Sequence, residues 1–211
     1  AWSLRWYRQM VGISSIGDTT VVSNKWMLGT RNSFIIGIIS TLLATALGTV
    51  AALGLSRPHM PFKPVLMAIL ISPMIVPLII TAAGMFFFYS KVGLTHTYLG
   101  LILAHTALGT PFVVITVTAT LTGFDTNLIR ASQSLGADTM RTFFKVIMPL
   151  ILPGVISGGL FAFITSFDEV VIVMFVGSVE QITIPKQMWA GLRQETSPVI
   201  LCMATCLVAL S

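Results

Sequence analysis

Two acidic side chains in the last third of the chain are the residues best placed to do chemistry. Asp168 and Glu169 follow Ser166 after one phenylalanine, and apolar runs flank the group on both sides. A carboxylate near the core of a membrane is costly, so it usually faces a cavity and marks a pathway. We expect Ser166, Asp168 and Glu169 to line a substrate pathway near an outer gate. The alternative is that the pair ends a helix at the membrane interface, because residues 146–167 already suffice for a span.

The other residues capable of site chemistry are scattered. Cys202 and Cys206 are four residues apart in the last apolar segment, where they read as small packing residues rather than metal ligands. His59, His96 and His105 have no partner at ligand spacing. We therefore expect no catalytic site, no metal site and no enzymatic activity. The sequence has no P-loop pattern, so we expect no nucleotide cofactor in this chain.

The composition is that of a membrane protein. Of the 211 residues, 55% are hydrophobic and 9% are charged, against roughly 25% charged in soluble domains. The net charge of +5 comes without a basic run or interleaved aromatic and basic residues, which argues against nucleic acid as a partner. We therefore expect membrane lipid to surround this chain.

Uncharged stretches give the expected spans. A stretch of 23 residues, 33–55, carries no charge and as a helix would reach about 34 Å, enough for a hydrocarbon core of about 30 Å. Because backbone polar groups in lipid must be paired within the segment, each stretch is expected to be helical. The sequence predicts an all-α, polytopic transmembrane bundle. The stretches are 33–55, 64–90, 97–124, 146–167 and an incomplete one at 196–211.

Small residues and prolines indicate how the spans pack. Ala44, Gly48 and Ala52 recur every fourth residue, as do two glycines, 154 and 158, which predicts close helix contacts. Pro73 and Pro77 should kink the second span.

The polar loop between the third and fourth spans predicts two short helices. Asp125 or Thr126 can cap the first, and Gly136 suits the left-handed position that ends it. Asp138 can cap the second, with Arg141 three residues later.

This loop resembles the EAA loop of ABC-importer permeases, whose pattern is E-A-A, three residues, G, nine residues, then I-x-L-P. Ala131, Gly136 and Pro149 match, whereas Arg130 stands where the family usually has Glu, so any contact made by that Glu does not carry over. In the family this loop contacts the ATPase. The residues that the resemblance assigns to ATPase coupling are Arg130, Ala131, Ser132, Leu135, Gly136, Ala137 and Pro149.

The region around the acidic pair resembles the polyamine branch of these permeases, the spermidine and putrescine importers and their opine-transporting relatives. The shared features are an acidic doublet before Val-Val, then Phe-Val-Gly, then Pro-Lys-Gln-Met-Trp. The resemblance implies a type I permease that passes a small cationic substrate inward, which opposite charges at Asp168 and Glu169 would favour. It also implies ATP-binding subunits, a second similar permease and a periplasmic binding protein as partners.

The resemblance also implies orientation and boundaries. The loop at 122–149 would be cytoplasmic, in a transmembrane domain of residues 32–211 in the bacterial inner membrane. Residues 1–31, rich in aromatic and basic side chains, would be a periplasmic interfacial segment. We expect a further helix ahead of this segment and a longer last helix. A secondary transporter or channel, or a permease for an unrelated small solute, are the alternatives.

Overall fold

The computed structural model describes residues 5–11, 20–57, 59–194 and 198–210, and every regular element within these ranges is a helix. The all-α prediction is confirmed for this part of the chain. The elements are α1 (Arg5–Val11), α2 (Thr20–Leu55), α3 (Lys63–Ile75), α4 (Leu78–Val92), α5 (Tyr98–Thr122), α6 (Asn127–Ser134), α7 (Thr139–Thr142), a π-helical segment (Phe143–Ile147), α8 (Met148–Asp168), α9 (Val171–Val176), α10 (Ile184–Gln194) and α11 (Pro198–Leu210).

The long apolar helices agree with the uncharged stretches. Three helices among the described residues are long and apolar enough to cross a membrane, Lys25–Leu55, Tyr98–Thr122 and Thr139–Asp168. A fourth span results if the broken pair α3 and α4 counts as one. The apolar helix α11 is shorter, and residues 196, 197 and 211 of the predicted last stretch lie outside the described ranges.

The first long helix begins earlier than the sequence suggested. Helix α2 begins at Thr20 and continues without a break past residue 31, because none of its residues is a proline. Residues 1–4 and 12–19 of the predicted interfacial segment are outside the described part of the chain. The periplasmic placement of residues 1–31 stays a prediction.

The second span is broken, as its prolines predicted. Helix α3 contains Pro73 and ends at Ile75, and Val76 is extended with φ −70° and ψ 135°. The ring of a proline sterically disfavours the helical conformation of the residue before it. Pro77 therefore keeps Val76 out of the helix, and α3 ends at Ile75. Helix α4 then begins at Leu78.

The chain forms two compact units. Unit 1 comprises the described residues of Ala1–Gly37, Ile79–Ile102 and Phe167–Ser211, and unit 2 comprises those of Ile38–Leu78 and Leu103–Ser166. Unit 1 contains a hydrophobic cluster that includes the buried Trp26. The buried members of that cluster are Trp26, Ile184, Val199, Ile200 and Met203.

Unit 2 contains the small-residue contacts that the sequence predicted. Ala44 and Ala52 are fully buried against Val113 and other apolar residues of α5 and α8. A Cβ added at Gly48 would lie 2.7 Å from the Val113 Cβ, and one added at Gly158 would lie 2.8 Å from the Val113 Cα. Real Cβ atoms do not approach so closely. Only glycine therefore permits α2 and α8 to approach α5 at this level.

Candidate coupling loop and substrate pathway

The first helix of the polar loop has caps at both ends. The Asp125 carboxylate accepts a hydrogen bond from the Asn127 N–H at 2.9 Å ahead of α6. At the other end, the Gly136 N–H donates to Gln133 O at 2.9 Å and the Ala137 N–H donates to Ser132 O at 3.1 Å. This pair of bonds is a Schellman motif, which requires a left-handed residue at its centre. Gly136 supplies it with φ +80°, as the sequence predicted.

The second short helix is capped and joined to the first. The Asp138 carboxylate accepts from the Arg141 N–H at 2.7 Å, which confirms the predicted cap of α7. The Ser132 and Thr142 hydroxyls lie 2.9 Å apart, and Thr142 is buried. This bond between α6 and α7 had no sequence signal, because nothing in the local pattern indicates that the two hydroxyls meet.

Apolar side chains lie on the exposed surface of the loop. Leu135 is 89% exposed and Met140 is 65% exposed, although both are large and hydrophobic. Arg130 and Ala131 are also exposed, whereas Ala137 is half-buried. Large apolar side chains exposed on a polar loop are typical of a surface that another protein covers.

Pro149 lies where the loop continues into the membrane helix. The Met148 N–H bonds to Phe143 O, five residues back, so the backbone is locally wider than an α-helix. A proline one residue later has no N–H to donate, and its ring would crowd the carbonyl of a regular preceding turn. The π-helical segment relieves that crowding and lets Thr139–Asp168 run as one helix.

The two predicted pathway carboxylates have different surroundings. Asp168 is the last residue of α8 and is exposed. Glu169 is 6% exposed, and its carboxylate accepts from the Ile172 N–H at 2.9 Å at the start of α9. Burial raises the pKa of the Glu169 carboxyl above its ordinary value, partly offset by the Ile172 hydrogen bond. Glu169 caps a helix, and Asp168 is available to solvent and solutes.

Helix α9 is also held at its carboxyl end. The Lys186 ammonium donates to Val173 O and to Ser178 O, each at 3.1 Å. Burial lowers the pKa of this ammonium from its ordinary value. The sequence did not single out Lys186, and its position two residues into α10 carries no local signal for this role.

An apolar groove of about 280 Å³ lies beside Asp168. Trp189 lines it and is 45% exposed. The guanidinium carbon of Arg193 lies 5.6 Å from the centre of the Trp189 ring, so the ring face already contacts one cation. An exposed carboxylate at the edge of an apolar groove is an arrangement that favours an alkylammonium group with a methylene chain. The remaining lining residues are Phe167, Val170, Ile184, Pro185, Met188, Leu192 and Leu207.

Ser166 is not brought into that groove. Its hydroxyl is buried in unit 2, 2.7 Å from His105 Nδ1 and 3.0 Å from the Ser40 hydroxyl. His105 has no partner at ligand spacing in the sequence, because the contact with Ser166 joins residues 61 positions apart.

Comparison with known proteins gives one family and several relatives. A family model described as the binding-protein-dependent transport system inner membrane component matches residues 44–211. The chain is 28% identical over 210 residues to the spermidine/putrescine transport system permease protein PotC of Haemophilus influenzae, covering 100% of the chain and 78% of the relative. It is 30% identical over 206 residues to PotC of Escherichia coli K12, covering 95% and 78%. The putrescine transport system permease protein PotI of the same strain is 28% identical over 213 residues, covering 97% and 72%.

Proposed function

The chain belongs to the family of binding-protein-dependent transport system inner membrane components and is a multi-pass permease of the bacterial inner membrane; from that premise we propose that it passes a small polyamine-like cation inward. The relatives named for spermidine and putrescine transport support a cationic amine as the substrate class. No chemical step on the substrate is required of this chain, and we propose that it has no enzymatic activity of its own.

The observation that carries the substrate proposal is the exposed Asp168 carboxylate at an apolar groove that Trp189 also lines. The carboxylate offers opposite charge to an ammonium group, and the apolar groove offers contact to the methylene chain between two amines. Glu169 adds to this by holding α9 in place rather than by meeting the substrate, because its carboxylate is buried and bonded to Ile172.

We propose that the loop at 122–149 carries the coupling. ATP bound by a partner ATPase would close the ATPase pair, move helices α6 and α7, and rock this chain between inward-facing and outward-facing states. The exposed Leu135 and Met140 fit a cleft in that ATPase. A full transporter would contain this chain, a second similar permease, two ATPases and a periplasmic binding protein.

The test is uptake of radiolabelled putrescine by the full transporter in proteoliposomes. An exposed charge pair is worth about 1 kcal/mol in water and about 4 kcal/mol at an effective dielectric of 20, so Asp168→Asn should lower uptake kcat/KM by about five-fold or more. Basal ATPase activity should stay near that of the wild type. Asp168→Lys should abolish uptake.

Two results would contradict the proposal. Wild-type putrescine uptake by Asp168→Asn would show that the carboxylate does not meet the substrate. A neutral solute transported in preference to putrescine would identify a permease for an unrelated small solute. The partner proposal has its own test, since a purified complex with one permease and no ATPase that still transports would refute it.

A further inference from the structure

Three helices of unit 2 are joined by one chain of buried hydrogen bonds. His105 on α5 contacts Ser166 on α8 at 2.7 Å, from Nδ1 to Oγ. Ser166 in turn contacts Ser40 on α2 at 3.0 Å, from Oγ to Oγ. Their exposed fractions are 1% for His105, 6% for Ser166 and 1% for Ser40. Polar groups inside a membrane bundle are costly unless they are paired, so each member depends on the others.

Tight backbone packing lies one helical turn away. A Cβ added at Gly109 would lie 2.9 Å from the Ala162 Cβ and 3.3 Å from the Ala44 Cβ. Gly109 is four residues after His105, and Ala162 and Ala44 are four residues from Ser166 and Ser40. The same three helices therefore meet in an apolar contact and then in a polar one. The polar contact defines their register, because a shift by one residue would break it.

The direction of the hydrogen bonds follows from burial. Nε2 of His105 has no hydrogen-bond partner among the described residues. An unpaired buried N–H is rarer in proteins than an unpaired buried acceptor, which favours the tautomer with its proton on Nδ1. Nδ1–H then donates to Ser166, and Ser166 is free to donate to Ser40.

We propose that His105 is a positioning residue for transport that acts through Nδ1. By holding Ser166, it fixes the end of the unit 2 part of α8 against α5 and α2. His105 does not meet the substrate, since its side chain is buried. This inference rests on the proposed transport of a cation past Asp168.

Two substitutions of His105 distinguish the contribution of Nδ1 from that of Nε2. An asparagine amide nitrogen occupies nearly the position of Nδ1, whereas a glutamine amide extends towards the position of Nε2. In the full transporter, we expect His105→Asn to retain more than half of the wild-type putrescine uptake. We expect His105→Gln, His105→Leu and Ser166→Ala each to lower kcat by about five-fold or more, with little change in KM. The double variant His105→Leu/Ser166→Ala should be no worse than either single variant.

Several outcomes would overturn the inference. These are uptake by His105→Gln equal to or better than that by His105→Asn, wild-type uptake by His105→Leu, or additive losses in the double variant. If the transporter with His105→Leu does not assemble, comparing putrescine uptake by His105→Asn with that by His105→Gln still tests the inference. A double-mutant cycle on thermal unfolding, measured without substrate, separates this inference from the proposed function. Normal uptake by Asp168→Asn together with strong His105–Ser166 coupling would refute the cation pathway and leave the positioning role standing.

Discussion

Glu169 and Lys186 hold opposite ends of the same short helix, α9. The Glu169 carboxylate accepts from the Ile172 N–H at 2.9 Å at its start, and the Lys186 ammonium donates to Val173 O at 3.1 Å at its end. A negative charge at the amino end and a positive charge at the carboxyl end both complement the helix dipole. A helix of six residues has too few internal hydrogen bonds to be stable alone. The Glu169 and Lys186 side chains therefore stabilise α9.

Removing the Glu169 cap should lower stability more than it alters substrate handling. Glu169→Ala should reduce the free energy of unfolding by about 1 kcal/mol, the usual worth of a helix cap. Glu169→Gln keeps an acceptor oxygen and should cost less, since the amide also avoids the desolvation of a buried carboxylate. Thermal unfolding of the purified complex measures both losses of stability. Asp168→Asn is the control, because Asp168 is the exposed neighbouring carboxylate. A larger effect of Glu169→Gln on putrescine KM than that of Asp168→Asn would reverse the roles assigned to the two carboxylates.

Gly136→Val should uncouple ATP hydrolysis from transport while the protein still inserts. Open space surrounds the position where a Cβ would be added, so the penalty comes from the backbone at φ +80° and amounts to about 1–2 kcal/mol. Gly136→Asn should be tolerated better, because asparagine adopts this conformation more readily. The ratio of ATP hydrolysed to putrescine transported is the measurement. Gly123→Val is the control in the same loop, since Gly123 lacks a positive φ. An equal ratio of ATP hydrolysed to putrescine transported in the two valine variants would contradict the expectation.

The bond between Ser132 and Thr142 should matter to coupling because it joins α6 to α7. Ser132→Ala and Thr142→Val should each cost about 1 kcal/mol, the net worth of one hydrogen bond. The double variant should cost little more than either, because both remove the same contact. Thermal unfolding and the ATP-to-transport ratio in the four proteins of the cycle test this. Fully additive losses would mean that the two hydroxyls act independently.

Asn32 should be among the least replaceable residues of unit 1. It is fully buried; its amide donates to Glu180 O and Ile182 O, both at 2.9 Å, and its oxygen accepts from the Tyr98 hydroxyl at 3.0 Å. Asn32→Leu removes all three of these hydrogen bonds and should cost about 1–3 kcal/mol. The Tm should fall by about 2–4 °C for each kcal/mol in a chain of this size.

The control for Asn32 lies on the same helix. Among the residues that the structure describes, the Thr30 hydroxyl bonds only within its own helix, to Trp26 O at 2.9 Å. Thr30→Val should change the free energy of unfolding by less than about 0.5 kcal/mol. Similar losses of Tm from the Thr30 and Asn32 variants would mean that the long-range contacts of Asn32 contribute little.

Features that depend on neighbouring residues could be predicted from the sequence. Uncharged stretches predicted the long helices, because the backbone in lipid can pair its polar groups only within the segment. The sequence also predicted the cap at Asp138, the left-handed Gly136 and a kink at the prolines of the second span, where the helix ends ahead of Pro77. Each follows from the stereochemistry of a few consecutive residues.

Only the tertiary structure separated the roles of residues that look alike in the sequence. Asp168 and Glu169 are adjacent and equally acidic, yet one is exposed and the other is 6% exposed and caps α9. His105 acquires a role through a residue 61 positions away, and Asn32 acquires one through carbonyls 148 and 150 positions away. A hydrogen bond acts over about 3 Å, so its partner is known only once packing has brought distant helices together. The physical range of the interaction thus sets the limit of what this sequence could reveal by itself.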